Sequence, residues 1–284
     1  MTVTQWRDQD GAYIAVGETI DELPSGIYDV AMVPQVGLVW IPLEARNDEL
    51  LRFEDSVSAR VVDEIRLFWE QEEAFRRYKL PYKRGILLHG PPGSGKSSTL
   101  RIICDDVVDR GGYVIQFTKP SVLVSAVRQL RQIHRNAEVV VLMEDVDAIL
   151  DRGDESSVLN LLDGAEQVDR MVFLATTNYP EKLGERIRNR PSRFDRRVLV
   201  SHPTSAMREQ YLRAIALPAD LERMDLERYV KDSDGMSLAH VKELFIATHV
   251  LRADYDTTVA DLRGMAVRPT STEDGGFERP GRYA

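Results

Sequence analysis

The spacing of apolar positions changes character several times along the chain. Up to residue 55 they come in short runs, Ala12–Val16, Ile27–Val33 and Leu38–Pro42, broken by Gly17, by Pro24-Ser25-Gly26, by Pro34 and by Gly37. Short apolar runs punctuated by Gly and Pro predict strands and turns, hence a small β-rich N-terminal unit. From Ser56 to Tyr78 the period lengthens. Val57, Val61, Ile65 and Phe68 recur at spacings of three and four, with Trp69 beside them, which predicts a helix. Strands and helices then alternate. The expected strands are Gly85–His89, Tyr113–Phe117, Glu138–Glu144, Met171–Thr177 and Arg196–Ser201. The expected helices are Lys96–Val108, Ser121–Arg135, Ser156–Gly164 and a short one near Gly184–Asn189.

Apolar strands joined by crossover helices predict a five-stranded parallel sheet buried on both faces. Residues 204–263 carry only helical patterning, which suggests a C-terminal helical lid. Residues 267–284, with Pro269, Gly275, Gly276, Pro280 and Gly281, are expected to be a disordered tail. The domain reading is therefore a β-rich region at 1–55, an α/β domain at 56–202, a lid at 203–266 and a tail at 267–284. No internal repeat is visible.

Composition narrows this little. At 43% hydrophobic and 29% charged residues, disorder over most of the 284 residues is excluded. The longest apolar runs, such as Val139–Met143, fall far short of the roughly 20 residues of a bilayer span, so no transmembrane helix is expected. The N-terminal stretch MTVTQWRDQDGAY has neither the basic start nor the apolar core of a secretory signal. The single cysteine, Cys104, excludes an internal disulfide and a cysteine-cluster metal site. Together these point to a cytoplasmic protein. A net charge of −9 disfavours general nucleic-acid coating, though a local basic patch stays possible.

The chemistry is concentrated in three places. Gly90-Pro91-Pro92-Gly93-Ser94-Gly95-Lys96-Ser97-Ser98 fits the phosphate-loop pattern between an expected strand and an expected helix. Glycines let successive backbone N–H groups face a phosphate, and the helix N-terminus favours an anion. Lys96 would reach the β- and γ-phosphates of ATP, and Ser97 would hold Mg²⁺. The strand Val139–Met143 runs straight into Glu144, Asp145 and Asp147. Carboxylates there are costly without a task or partner. In phosphate-loop enzymes one acid at this place orients the hydrated Mg²⁺ and its neighbour the attacking water, so by position Glu144 is expected to serve the metal and Asp145 the water. Asp147 is open between a structural, an interface and a catalytic role. Finally, Arg186, Arg188, Arg190, Arg193, Arg196 and Arg197 crowd one short stretch. A solvated basic face, a nucleic-acid patch and contact with a nucleotide are its three readings.

The motifs and their order resemble the AAA clade of the AAA+ ATPase superfamily. GPPGSGKS resembles its Walker A, VVVLMEDVDAIL its Walker B, LATTN ending in Asn178 its sensor 1, and Arg190-Pro-Ser-Arg193-Phe-Asp its paired arginine fingers. The resemblance covers about residues 57–265. The stretch from Leu80 to His89, and acids in the order Glu-Asp instead of Asp-Glu, are similar to the clade's translocases that assemble the Rieske protein of mitochondrial complex III. The membrane helix of those translocases is not expected here.

The resemblance implies an α/β phosphate-loop NTPase fold and Mg²⁺-dependent ATP hydrolysis in a ring of six or seven subunits. It implies that Asn178 senses the γ-phosphate and that Arg190 and Arg193 reach the nucleotide of a neighbouring subunit. Phe117–Ser125 lacks the aromatic–hydrophobic–glycine triplet of protein-threading members. Gly235–Lys242 resembles the start of the lid helix that carries sensor 2, with His240 or Lys242 either touching phosphate or lying on the surface. The implied work is remodelling, assembly or translocation of an unidentified protein client, without a membrane. The alternatives are a nucleic-acid motor or loader, a nucleotide-binding scaffold with little turnover, and a monomeric phosphate-loop kinase.

Overall fold

In the computed structural model, residues 5–9, 12–17, 19–44, 56–152, 155–163, 169–183, 187 and 193–266 are described. The chain divides into two units, one of residues 1–90 and 96–200, the other of 91–95 and 201–284.

The first unit is built on a sheet. Its strands are β1 (Gln5–Gln9), β2 (Ala12–Val16), β3 (Gly26–Val33), β4 (Gly37–Pro42), β5 (Lys83–His89), β6 (Tyr113–Gln116), β7 (Val139–Met143), β8 (Met171–Thr177) and β9 (Arg196–Leu199). Seven of them form one sheet in the order β4-β3-β6-β7-β8-β5-β9. The five expected parallel strands are present, but the sheet has seven, not five. The hairpin β3–β4 adds to it, with β3 parallel to β6 in the register Gly26↔Tyr113 and Tyr28↔Ile115. The physical reason lies in β3 itself: Tyr28 and Val30 are buried and pack in the same core as Tyr113 and Ile115. Without the hairpin, the outer edge of β6 would present unpaired backbone groups. β1 and β2 form a separate antiparallel pair, Gln5↔Val16. β1 was not expected, because QWRDQ contains one apolar residue and no alternation.

Helices α1 (Val57–Glu70), α2 (Glu72–Arg77), α3 (Lys96–Asp109), α4 (Pro120–Ile133), α5 (Val146–Arg152) and α6 (Glu155–Asp163) belong to the same unit. Ser56 caps α1, its Oγ accepting the Ala59 N–H at 3.2 Å. Alternation along the central strands sorts their side chains onto the two faces. Val139, Val141 and Met143 pack with Leu123, Leu130 and Leu162 of α4 and α6. Val140 and Leu142 pack with Val61 and Ile65 of α1 and Ile103 of α3. Every residue of β7 and β8 is buried, as a parallel sheet covered on both faces requires. Cys104 lies in the second of these cores, where burial pushes its thiol up to about 12.

The second unit is helical: α7 (Ser205–Ile215), α8 (Pro218–Leu221), α9 (Leu226–Asp232), α10 (Leu238–Phe245), a π-turn at Ile246–Val250, and α11 (Tyr255–Ala266). Its core is Leu212, Tyr229, Met236, Val241, Leu244, Val259 and Leu262. Thr204, Asp225 and Ser237 cap α7, α9 and α10 with their side-chain oxygens. Arg208 is buried, and its guanidinium is satisfied by the carbonyls of Pro203 and Val230 and by Asp234. Among the described residues no helix is long and apolar enough to cross a membrane. The expected tail at 267–284, and most of the expected helix near 184–189, lie outside the described residues.

Candidate functional site

Sheet order locates the site before any side chain is considered. From β5 the chain crosses to β6, returns through β7 and β8, then passes β5 to reach β9 on its other side. The carboxyl end of β5 is thus a switch point, where open α/β sheets bind ligands. Register sets three motifs on that edge. His89, the last residue of β5, pairs with Thr177, so Gly90 follows beside Asn178. Met143 of β7 pairs with Ala175, so Glu144 and Asp145 emerge next to them.

The loop after β5 turns through glycines in the left-handed region, Gly93 at φ 72° and Gly95 at φ 96°. The Ser94 N–H bonds the Pro91 carbonyl at 3.2 Å. Lys96 opens α3; its side chain is buried and its Nζ donates to the Gly90 carbonyl at 2.9 Å. Burial lowers the Lys96 pKa from its ordinary value, and Asp145 pulls it back up. His89 is held below its ordinary pKa by burial, then by Arg197 and Lys96. Whether an anion fits is answered by Ser94, whose Oγ is buried with no hydrogen-bond partner. An orphaned hydroxyl in a loop of turned N–H groups beside a helix start suits phosphate oxygens. Ser97 and Ser98, the next residues of α3, are exposed.

The acids follow β7 directly. Glu144 and Asp145 are both exposed. Asp145 has φ 49°, a left-handed backbone, and its N–H bonds Thr176 Oγ1 at 3.1 Å. Asp147, in the first turn of α5, accepts from Thr177 Oγ1 at 2.7 Å. Asn178 follows Thr177 and is half-buried.

The arginine stretch is described only in part. Arg190 lies outside the described residues. Arg193 is 5% exposed, and its Nε and Nη2 bond the two oxygens of Asp163 in the same chain at 3.0 and 2.8 Å. A forked pair of this kind holds the guanidinium against Asp163 within the chain. The segment is clamped further by Gly85. Its N–H donates to Asp195 Oδ2 at 2.7 Å, and a Cβ there would stand 2.2 Å from the Arg193 carbonyl oxygen. Arg196 and Arg197 lie on β9 and are exposed. In the helical unit, Ser237 Oγ lies 2.7 Å from His240 Nδ1, and a Cβ on Gly93 would approach Ser237 Oγ to 3.3 Å. Lys242 is exposed.

The loop, the acids and Asn178 lie in motifs visible in the sequence, whereas Thr176, Thr177, Asp163 and Gly85 carry no such mark. The two threonines stand inside the LATTN motif, where they read only as strand residues. Nothing local marks Asp163 or Gly85, because their partners are 30 and 110 residues away.

Residues 86–202 match the family described as "ATPase family associated with various cellular activities (AAA)". The chain is similar to a probable mitochondrial chaperone bcs1 of Schizosaccharomyces pombe, 31% identical over 56% of this chain and 38% of that protein. It is similar to a cell division cycle protein 48 homolog of Archaeoglobus fulgidus, 27% identical over 66% of this chain and 28% of that protein. An ATP-dependent zinc metalloprotease FtsH of Acidothermus cellulolyticus is 31% identical over 74% of this chain and 34% of its own length. The chain thus spans well under half of each of these relatives.

Proposed function

We propose, on the premise that residues 86–202 of this chain are a domain of the AAA family, that the protein binds Mg²⁺ and ATP and hydrolyses the nucleotide to do mechanical work on a protein. The observation that carries this is the meeting of Gly90, Lys96, the paired acids and Asn178 on one sheet edge at the switch point. Bound ATP supplies the anhydride whose hydrolysis drives the work. The chain's own residues have separable tasks. Gly90 to Ser98 cradle the phosphates, with Lys96 neutralising charge on the β- and γ-positions. Ser97 and Glu144 hold the metal. Asp145 accepts a proton from water, and Asn178 bonds the γ-phosphate. Arg190 reaches the nucleotide of a neighbouring subunit, while Arg193 in its pair with Asp163 holds the segment. Residues 56–202 are the nucleotide-binding domain, to which residues 26–42 add two strands, and residues 203–266 are a separate helical domain of lid type.

The chain works as a ring of six or seven copies. A protein client is favoured over nucleic acid by the net charge of −9 and by relatives whose names are those of a chaperone and a protease. The test is a phosphate-release assay with nucleotide titration. Wild type binds Mg·ATP and turns it over, and Lys96→Ala loses detectable binding with an unchanged circular dichroism spectrum. Unchanged nucleotide affinity in Lys96→Ala would overturn the assignment. Stimulation of turnover by single- or double-stranded DNA would move the client class to nucleic acid.

A further inference from the structure

Asp147, Thr176 and Thr177 have no part in the roles assigned so far, yet their side chains make hydrogen bonds beside the site. Backbone pairing of β7 with β8 has its last register pair at Met143↔Ala175. Past that point side chains take over. Thr176 Oγ1 accepts the Asp145 N–H at 3.1 Å. Thr177 Oγ1 donates to Asp147 Oδ1 at 2.7 Å and accepts the Tyr179 N–H at 2.9 Å. Both threonines are buried, Thr177 completely. The Thr177 hydroxyl thus ties the start of α5 to the turn that carries Asn178, and the Thr176 hydroxyl ties β8 to the backbone of Asp145.

We propose that Thr176, Thr177 and Asp147 form a latch that fixes the distance between Asp145 and Asn178. The water-activating carboxylate and the γ-phosphate contact then move as one piece. Asn178 sits between Thr177 and Tyr179, which the Thr177 hydroxyl joins by accepting the Tyr179 N–H, so it cannot shift without straining that bond. Asp145 holds its left-handed backbone with its N–H already committed. Asp147 acts in this latch as a hydrogen-bond acceptor and not as a charge. All three are positioning residues, and the inference rests on the ATPase reading above.

The experiment measures kcat, KM and nucleotide affinity of the full chain for Thr177→Val, Thr177→Ser, Asp147→Ala and Asp147→Asn. Misplacing a reacting group by about 1 Å costs on the order of a hundredfold. Thr177→Val and Asp147→Ala should each lower kcat by about tenfold to a hundredfold, with nucleotide affinity held. Thr177→Ser and Asp147→Asn keep the donor and the acceptor, and should keep most of kcat. The Thr177→Val/Asp147→Ala double variant should be no slower than Thr177→Val alone, since the bond that Asp147→Ala breaks is already lost there. Valine matches the shape of threonine, and thermal midpoints with Thr176→Val as a second variant separate lost catalysis from lost fold. Wild-type kcat in Thr177→Val overturns the latch, as does equal loss in Asp147→Asn and Asp147→Ala. In both cases the wild-type chain hydrolyses ATP. A wild-type chain that neither binds nor hydrolyses ATP overturns the ATPase reading and the latch with it.

Discussion

A single backbone angle gives a physical reason for the inverted acids. Asp145 stands at φ 49°. The left-handed region costs most L-residues about 1–2 kcal/mol, and Asp and Asn, with short polar side chains, enter it most readily. Glutamate at 145 would carry that strain, whereas Glu144 at the strand exit meets no such restriction. Restoring the usual length of the second acid with Asp145→Glu should therefore lower the thermal midpoint as well as alter turnover. Asp145→Asn keeps the backbone preference and the N–H to Thr176. It should bind ATP and turn over about 10²–10⁴ times more slowly, the range for losing a general base. Glu144→Gln should instead raise the Mg²⁺ concentration needed for half-maximal rate, read by titrating metal back after chelation. If Asp145→Asn shifts the metal titration and Glu144→Gln does not, the two acids have exchanged roles. These residues were legible because the phosphate loop and the acids sit in contiguous motifs. Thr176, Thr177 and Asp163 were not, since a buried hydroxyl or a carboxylate at a helix end has no local pattern that names its partner.

The strands and helices whose side chains alternate against a core were the most legible elements. Met171–Thr177 is a strand in the bounds its apolar run suggests, and Lys96–Asp109 differs from expectation by one residue. What the local pattern could not supply was pairing. Runs at 26–33 and 37–42 read as strands, but only the contact of Tyr28 and Val30 with the β6 side of the core decides that they extend the main sheet. Gly85 is a second nonlocal case. A methyl group there would meet the backbone of Arg193 and Phe194, at 2.2 and 3.0 Å, and neither is a side chain that can swing aside. Gly85→Ala should therefore push β5 and the 193–195 segment apart and cost about 1–3 kcal/mol. A thermal melt should show this as a fall of several degrees. An unshifted midpoint would mean that the clamp on the arginine segment is loose.

Assembly is the scale at which the arginine roles can be tested. If Arg190 acts in trans, no lone subunit is complete, and specific activity should climb with protein concentration to a plateau. Arg190→Ala should keep ATP binding and lose turnover, and mixing it with Asp145→Asn should restore part of the rate, because some interfaces then pair a good finger with a good base. Arg193 gives a sharper contrast. Freed from Asp163 by Asp163→Ala, a true second finger would sustain or raise turnover. An anchor would fail in Asp163→Ala and Arg193→Ala alike, with no further loss in the double variant. The second outcome is expected from the buried, forked pair. The hairpin at 26–42 has a practical side for anyone cutting this gene into pieces. A fragment starting at residue 56, where the helical period begins, would strip the partner from β6 and leave Tyr113–Gln116 as a bare template for intermolecular pairing. Such a fragment should go into inclusion bodies or elute as aggregate on gel filtration, while one starting near residue 19 stays dispersed. The useful cloning boundary is thus drawn by a strand that lies some 80 residues from its neighbour in the sheet.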